Sequence, residues 1–423
     1  MVGLLTSADT PSLQRLHSLV QSELWQQKQW QKMVQLGLPG PKDDAWKYTS
    51  LTEFEQLPLQ TAACRSDDTI SYESLSLNLD SYRLVFLDGR LLIRCSDWIP
   101  KVDVTPLSKL SDIQRHGLRK GIKPDAFTYL SDATATSGVW LDVEPNNVIN
   151  KPIYLLHISS GIKGEVCSYR HHVNLGHLSE CEVIEHHISL EQGGGVTFSR
   201  LTCDVGDGAR FYHTKLIEES STQHHFSHND LAISRDACAF SNTFLLSGLL
   251  CRHQTSSHLT GENGQIEINS LSTPEHKQTF DTRTYTCHQA SHCRSEQQHK
   301  TLATEQSNGF FEGMIYVTPD AIKTDGQMDC NGLLLSKQAQ INSKPQLEIF
   351  ADDVKCSHGA TTGQIDPLQI DYMRARGISK SKAIQMLTLA FASDVALKIR
   401  HPLVRQYVCD TLENRLAREK HND

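Results

Sequence analysis

The fold of this chain is decided by four short segments, which are LSECEV (178–183), GDGARF (206–211), RDACAF (235–240) and ENGQIE (262–267). Each segment places a small polar turn directly before a comparable strand-like run. The equivalent positions, aligned by these turns, are Cys181, Ala209, Ala239 and Ile266. The repeat lengths between them are 28, 30 and 27 residues. A β-rich repeat of this size, without helices between its strands, predicts a stacked solenoid.

The same strand-like character extends on both sides of these four segments, from about Gly138 to Asp366. Helical periodicity is absent from this stretch, and short alternating runs replace it. A β-sandwich could supply similar strands, but roughly 230 residues is long for one sandwich domain. We therefore predict a β-helix core over residues 136–366, after a mixed helical and strand region (1–135) and before a helical region (367–423).

The predicted N-terminal region begins with a helix. Thr10 can cap it, Pro11 suits its first position, and Gly37 ends its apolar pattern. A hairpin is predicted around Asp88-Gly89, because Asp-Gly between apolar runs favours a tight turn. Short helical pieces are predicted at 107–116 and 124–130.

Helices are predicted again after Asp366. A short one ends at Gly377, a second is capped by Ser379, and a third follows Pro402. The apolar stripe of the second helix is predicted to contain Ile384, Leu387, Phe391 and Val395. Such a helical tail beside a solenoid is either its cap or a docking surface, and the pattern alone leaves both open.

The composition of the 423 residues excludes several protein classes. The net charge is −8, from 41 basic and 49 acidic residues, and no basic stripe indicates nucleic-acid binding. The longest apolar stretch, 244–251, is broken by Ser247 and Gly248, so no membrane span is expected. The start of the sequence lacks a signal-peptide pattern, so we expect a cytoplasmic protein whose twelve cysteines are mostly thiols.

The strongest candidate for chemistry is DDVKCSHGAT (352–361). In a strand Cys356 and His358 project to the same face, as do His228 and Asp230 in HHFSHND (224–230). The Cys356–His358 pair could be a metal or sulfur site, a buried structural pair, or an accident of composition. The segments HHFSHND and CHQASHC (287–293) are interpreted as structural.

No motif for catalysis or nucleotide binding accompanies this pair. GIKGEVCS is not a phosphate-binding GxxxxGK[ST] loop, and no GxSxG, HExxH or GxGxxG after a strand is present. No CxxC indicates a preformed zinc site. From the residues alone the function stays open.

Seven segments nevertheless resemble the SufD family of the SUF (SufBCD) iron–sulfur cluster assembly scaffold. They are WKYTSL (46–51), HHFSHND (224–230), GEN (261–263), DTRTY (281–285), AIKTDGQM (321–328), PQLEIFADDVKCSHGAT (345–361) and YMRARGIS (372–379). The resemblance implies a right-handed parallel β-helix flanked by N- and C-terminal helical regions, and a role that is not enzymatic.

The resemblance also implies partners. SufD-like subunits pair with a paralogous SufB-like β-helix subunit, and each binds one SufC-like ABC-type ATPase, here through the C-terminal helices. A cysteine desulfurase and its sulfur-transfer partner supply sulfur through the complex. A transient Fe–S cluster is expected in the complex and none in the isolated chain, for which a homodimer is an alternative state. Neither nucleic acid nor membrane is an expected partner.

The resemblance places the family's interface histidine at His358, with Cys356 beside it. His358 is the candidate metal ligand, in the complex only, and Cys356 either contributes a second ligand or supports the histidine. Asp352 and Asp353 are expected to be solvated or hydrogen-bonded. SufB-like chains typically carry Glu after the corresponding histidine, whereas this chain has Gly359, as a D-type subunit does.

Three rival functions are kept. A parallel β-helix can be a polysaccharide lyase or hydrolase, and activity on a polyuronide would support that enzyme. A pure interaction scaffold would bind partners through its helical tail without any cluster ligand. A metal-storage or zinc protein would carry stoichiometric metal in the isolated chain.

Overall fold

The computed structural model of the chain describes residues 11–63, 72–118, 121–190 and 193–418. Thr10 and Cys64 lie outside these described residues. Most of the described chain forms a parallel β-helix with two facing sheets of ten strands each, and helices flank it on the N- and C-terminal sides. The mainly β fold with flanking helical regions is therefore confirmed.

The strands, in chain order, are β1 (Gln60–Thr61), β2 (Tyr82–Leu87), β3 (Arg90–Leu91), β4 (Val102–Pro106), β5 (Val139–Val143), β6 (Ile153–Ser159), β7 (Glu165–Leu175), β8 (Glu180–Ser189), β9 (Val196–Val205), β10 (Arg210–Glu218), β11 (His224–Ile233), β12 (Cys238–Ser247), β13 (Leu250–Leu259), β14 (Gln265–Ser272), β15 (Thr279–His288), β16 (Arg294–Ala303), β17 (Asn308–Val317), β18 (Asp325–Leu334), β19 (Gln340–Ile349) and β20 (Lys355–Gly363). From β5 onward, odd-numbered strands form the first sheet and even-numbered strands the second. Each turn of the chain thus adds one strand to each sheet.

The helices are α1 (Pro11–His17), α2 (Leu24–Leu36), α3 (Thr52–Glu55), α4 (Tyr72–Leu75), α5 (Asp112–Gly117), α6 (Ala126–Thr134), α7 (Pro367–Arg374), α8 (Lys380–Ala396) and α9 (Pro402–Arg418). The N-terminal region also adds strands to the sheets, since β2 pairs parallel with β6 and β4 pairs antiparallel with β5. None of the described helices is long and apolar enough to cross a membrane.

The strand register corrects one position of the repeat alignment. Phe211, rather than Ala209, pairs with Cys181 on one side and Ala239 on the other. Ala209 belongs to the preceding turn, where its N–H bonds to the Gly206 carbonyl and Gly208 has a φ of 66°. The repeat alignment is therefore wrong by two residues at this position, because it equated Ala209, a turn residue, with the strand residues Cys181 and Ala239.

The N-terminal region confirms two local predictions and corrects a third. The Asp88-Gly89 hairpin forms, with φ values of 46° and 74° that suit a type I′ turn. Short helices also form at both predicted places, although α5 ends at Gly117 and α6 extends to Thr134, beyond the predicted 107–116 and 124–130. The prediction of a single helix from Pro11 to Gly37 is wrong, because α1 and α2 are separate helices. Between them Gln21 donates its backbone N–H to the Ala133 carbonyl instead of to a helical partner.

The three C-terminal helices form where the sequence predicts them, but the buried face of α8 differs. Val395 is buried as predicted, together with Thr388 and Ala392, whereas the predicted Ile384, Leu387 and Phe391 are only half-buried. Small side chains let α8 approach the second sheet closely. There α8 packs against β14 and β16 on the flank of the β-helix.

Candidate functional site at the open end of the β-helix

The last turn of the β-helix leaves two strand edges unpaired among the described residues. Within the described parts of the chain β19 pairs only with β17, and β20 only with β18, so no further described strand covers either of them. We call this end, formed by β19 and β20, the open end. Unpaired strand edges are templates for pairing with a strand of another chain. The open end is therefore built to be extended by a partner.

Cys356 and His358 lie on the inward face of β20 at this open end. Their register partners on β18 are Gly326 and Met328, both buried, and partners in a parallel ladder point to the same face. A side chain added at Gly326 would meet the Cys356 sulfur at 3.3 Å, which confirms the inward direction. Because no later turn covers β20, the Cys356 side chain is half-buried and His358 is exposed. The predicted shared face is confirmed.

The two side chains differ in their surroundings. Cys356 packs against an apolar cluster that contains Ile315 and Met328, and burial raises the pKa of its thiol. The His358 imidazole makes no side-chain hydrogen bond or ion pair to any residue in the described part of the chain. One group is thus a protonated thiol held by packing, and the other is an imidazole available to a ligand or partner.

The rim of the open end is acidic and apolar. Asp352 and Asp353 are both exposed, and Asp353 forms an ion pair with Lys323. Ile349 and Phe350 are exposed beside them, with Phe350 against Tyr316 at a ring-centroid separation of 5.4 Å. Neither aspartate lies with Cys356 and His358 on the inward face, so a partner that covers the rim would meet their charges separately.

Three of the segments that carry the family resemblance meet at a single junction instead of at the open end. The Trp46 ring stacks on the Arg252 guanidinium, 3.7 Å away, and Thr49 donates a hydrogen bond of 2.7 Å to Asp281. Arg252 and Arg283 both pair with the buried Asp281. WKYTSL and DTRTY therefore fasten the N-terminal region to the first sheet.

The third segment, HHFSHND, serves the same junction. His228 and Asp230 share a face as predicted, 3.1 Å apart. His228 also bonds to Thr128 of α6 at 2.8 Å, and Asp230 pairs with Arg200 at 3.0 Å. Both side chains are committed to holding α6, which fits a structural role.

The side chains of CHQASHC are placed in different surroundings. His288 is buried and bonds to Ser295 at 2.8 Å, whereas His292 sits in an exposed turn 3.2 Å from Glu262. Cys287 and Cys293 are buried free thiols, and burial raises the pKa of each. This arrangement fits the structural interpretation of the segment.

The sequence did not reveal that the interior of the β-helix is strongly polar. Glu185 accepts a hydrogen bond from His213 at 2.8 Å and pairs with Lys215 at 3.3 Å, and all three side chains are fully buried. Burial alone would raise the pKa of Glu185, but Lys215, His187 and His213 hold it well below its usual range. The only signal was the His-His pairs, whose members face opposite sides: His187 points inward and His186 outward.

The C-terminal helices are attached to the flank of the second sheet by polar contacts. Lys300 donates to the Phe391 carbonyl at 2.7 Å and pairs with Asp394 at 2.6 Å. Tyr407 donates to Glu218 at 2.6 Å. On their outer side α7 and α8 form an apolar groove, lined by Leu368, Gln369, Tyr372, Met373 and Leu387. These helices do not cover the open end.

Comparison with known proteins shows the family to which the chain belongs. Residues 157–391 match the family described as "SUF system FeS cluster assembly, SufBD core domain". The chain is 39% identical to the iron–sulfur cluster assembly protein SufD of Escherichia coli, over 98% of this chain and 99% of the relative. It is 26% identical to a SufBD family protein of Synechocystis sp., over 85% and 83%, and 24% identical to the chloroplastic protein ABCI7 of Arabidopsis thaliana, over 87% and 80%. The chain belongs to the SufBD core family of the SUF iron–sulfur cluster assembly system.

Proposed function

We propose that this chain is a non-catalytic scaffold subunit that pairs with a SufB-like paralogue through its open end and helps to hold a nascent Fe–S cluster there. Membership of the SufBD family gives the chain a role in iron–sulfur cluster assembly. The finer assignment rests on one observation. The exposed His358 imidazole, which has no hydrogen-bond or ion-pair partner among the described residues, shares with the Cys356 thiol the inward face of β20, the last strand of its sheet.

This geometry suits a cluster that must later leave. Imidazole and thiolate both bind iron, but two protein ligands do not complete its coordination. The remaining ligands would come from the paired subunit, so the cluster would be held only while both open ends face each other. Movement of one subunit relative to the other would change the ligand spacing and release the cluster.

The partner surfaces follow from the same structure. The free edges of β19 and β20 would continue into strands of the SufB-like subunit. The groove between α7 and α8 exposes Leu368 and Tyr372, which suits docking of a SufC-like ATPase. A cysteine desulfurase with its sulfur-transfer partner would supply sulfur to the assembled complex, and we expect the complex to work in the cytoplasm.

The test is anaerobic Fe–S reconstitution on the co-purified complex of this chain with its SufB-like and SufC-like partners. We expect His358→Ala to lower the visible absorption of the cluster, because loss of the imidazole leaves one coordination position of the iron without its protein ligand. Ser357→Ala is the matched control, because Ser357 is the neighbouring residue on the outer face of β20. Equal recovery of the three subunits must accompany the comparison.

The outcome also separates the alternatives. An unchanged cluster yield in His358→Ala would favour a pure interaction scaffold whose partner supplies every ligand. Loss of yield in Cys356→Ser as well would assign the thiol a ligand role, and an unaffected Cys356→Ser would leave it as packing beneath the histidine. The family match favours cluster assembly over the polysaccharide-active alternative.

A further inference from the structure

A second group of ligand-type side chains lies inside the β-helix, away from the open end. It consists of His187 on β8, Glu219 in the corner after β10, and His225 on β11. One nitrogen from each imidazole and one carboxylate oxygen lie within 4.8 Å of one another. All three residues are at least 98% buried. The two sheets and the corner between them thus converge on one point.

The hydrogen bonds leave nitrogen lone pairs unused at this point. Nδ1 of His225 lies 2.8 Å from a Glu219 oxygen, so the ring donates through Nδ1–H and Nε2 keeps its lone pair. That Nε2 atom has no hydrogen-bond partner among the described residues. Neither nitrogen of His187 has one there either, since the Glu185 oxygen near its Nε2 is 3.7 Å away, beyond hydrogen-bonding distance. A buried polar atom without a partner is costly, so its presence calls for an explanation.

The charge balance distinguishes this group from its neighbour. His157, His171 and Glu185 also bring ligand atoms within 4.8 Å, but Lys215 already neutralises Glu185 at 3.3 Å. Glu219 forms no ion pair with a lysine or arginine in the described parts of the chain. A buried carboxylate needs a compensating positive charge, and here imidazole nitrogens rather than a lysine stand beside it.

The surroundings would exclude water from a bound ion. The next turn of the interior is apolar, formed by Ile217, Leu245, Cys251 and Phe280. Glu219 is also held in place, because Thr197 donates a hydrogen bond of 2.5 Å to its other oxygen. A carboxylate fixed by a second contact beside an imidazole is the arrangement that orients ligands in metal sites.

We propose that His187, Glu219 and His225 bind one divalent transition-metal cation inside the β-helix. Two imidazoles and one carboxylate suit Zn²⁺, Fe²⁺ and Co²⁺ and are a poor match for Mg²⁺ or Ca²⁺, which prefer oxygen ligands. The cation would supply the positive charge that Glu219 lacks and would use a free nitrogen of His187. At His225 it would bind Nδ1 in place of the hydrogen bond to Glu219, and the displaced proton would move to Nε2. This inference is independent of the proposed function, because the site is separate from Cys356 and His358.

The test uses the purified full chain, with Co²⁺ as the probe because its bound form absorbs visible light. The protein is unfolded, stripped with a chelator, and refolded anaerobically with or without Co²⁺, so that a buried site can be loaded. After desalting, we expect about one Co²⁺ per chain, with visible bands and a raised thermal midpoint. Glu219→Gln, which keeps the shape of the side chain and removes the charge, is expected to lower retained Co²⁺ at least about tenfold.

Two controls keep the result specific. His299→Gln replaces an equally buried interior histidine outside the group and is expected to retain Co²⁺ fully. The double variant Cys356→Ser with His358→Ala removes the open-end groups and is also expected to retain it. Circular dichroism verifies that each variant has refolded.

Several outcomes would overturn the proposal. If wild-type protein refolded with Co²⁺ retains none after desalting, the proposal is overturned, even if Glu219→Gln fails to fold. Equal Co²⁺ retention in Glu219→Gln and wild type would also overturn it. Loss of Co²⁺ only in the open-end double variant would overturn it as well. In any of these cases the free nitrogens of His187 and His225 would serve packing alone.

Discussion

Asp132 is the residue whose replacement should most sharply test how the N-terminal region is fastened to the β-helix. It lies on α6, which packs against α2 and against β7, β9 and β11. Its carboxylate pairs with Arg170, at 2.9 Å, and with Arg200. The two arginine side chains are completely buried and that of Asp132 is 2% exposed. We expect Asp132→Asn to destabilise this junction.

The magnitude follows from the charges. Two buried guanidinium groups are balanced by two carboxylates, those of Asp132 and Asp230. Asn removes one carboxylate and leaves one buried positive charge uncompensated, which costs about 3–5 kcal/mol of the free energy of unfolding. The control is Asp207→Asn, whose pair with Arg235 at 3.4 Å is more than half exposed and is worth at most about 1 kcal/mol.

Urea unfolding, followed by two signals, separates the junction from the rest. The five tryptophans all lie within the first 140 residues, so their fluorescence reports the N-terminal region and the first strands. Far-ultraviolet circular dichroism reports mainly the β-helix. We expect the fluorescence midpoint of Asp132→Asn to fall further than its dichroism midpoint. If Asp132→Asn loses no more free energy of unfolding than Asp207→Asn, the reasoning that a buried ion network fastens α6 is refuted.

Two further perturbations test the interior and its turns. Burial lowers the pKa of His299 to about 3, whereas its pKa in the unfolded chain is about 6.5. Between these two pH values only the unfolded chain binds the proton, so the free energy of unfolding falls as the pH drops from about 6.5 towards about 3. The free energy of unfolding of His299→Gln, measured by urea titration, should therefore fall by about 2 kcal/mol less than that of wild type between pH 7 and pH 5. An equal fall in the two proteins would contradict this prediction. Gly138→Ala should yield insoluble or severely destabilised protein, because its φ is 155° and a Cβ would lie 1.8 Å from the Arg170 carbonyl oxygen. A normal thermal midpoint would contradict that steric argument.

The sequence predicted the β-helix well because its signal is repeated along the chain. Each turn carries similar small polar residues, so an error at one position, such as Ala209, leaves the remaining repeats intact. The face shared by Cys356 and His358 was also predictable, since it depends only on the alternation of side chains along a strand. The buried face of α8 was not, because small residues such as Ala392 pack closely without forming an apolar stripe.

The polar interior escaped prediction for a different physical reason. The alternation of side chains along a strand identifies which residues share a face. Sequence analysis then takes the apolar face to be the inner one. In this β-helix His187, His213, Glu185 and Lys215 point inward, and the cost of burying them is offset within the network by ion pairs and hydrogen bonds across the two sheets. Those compensating partners come from different turns, so they are distant in sequence and only the register brings them together. Where the register leaves a carboxylate without such a cation, as at Glu219, the same reasoning indicates a ligand from solution and hence a metal site.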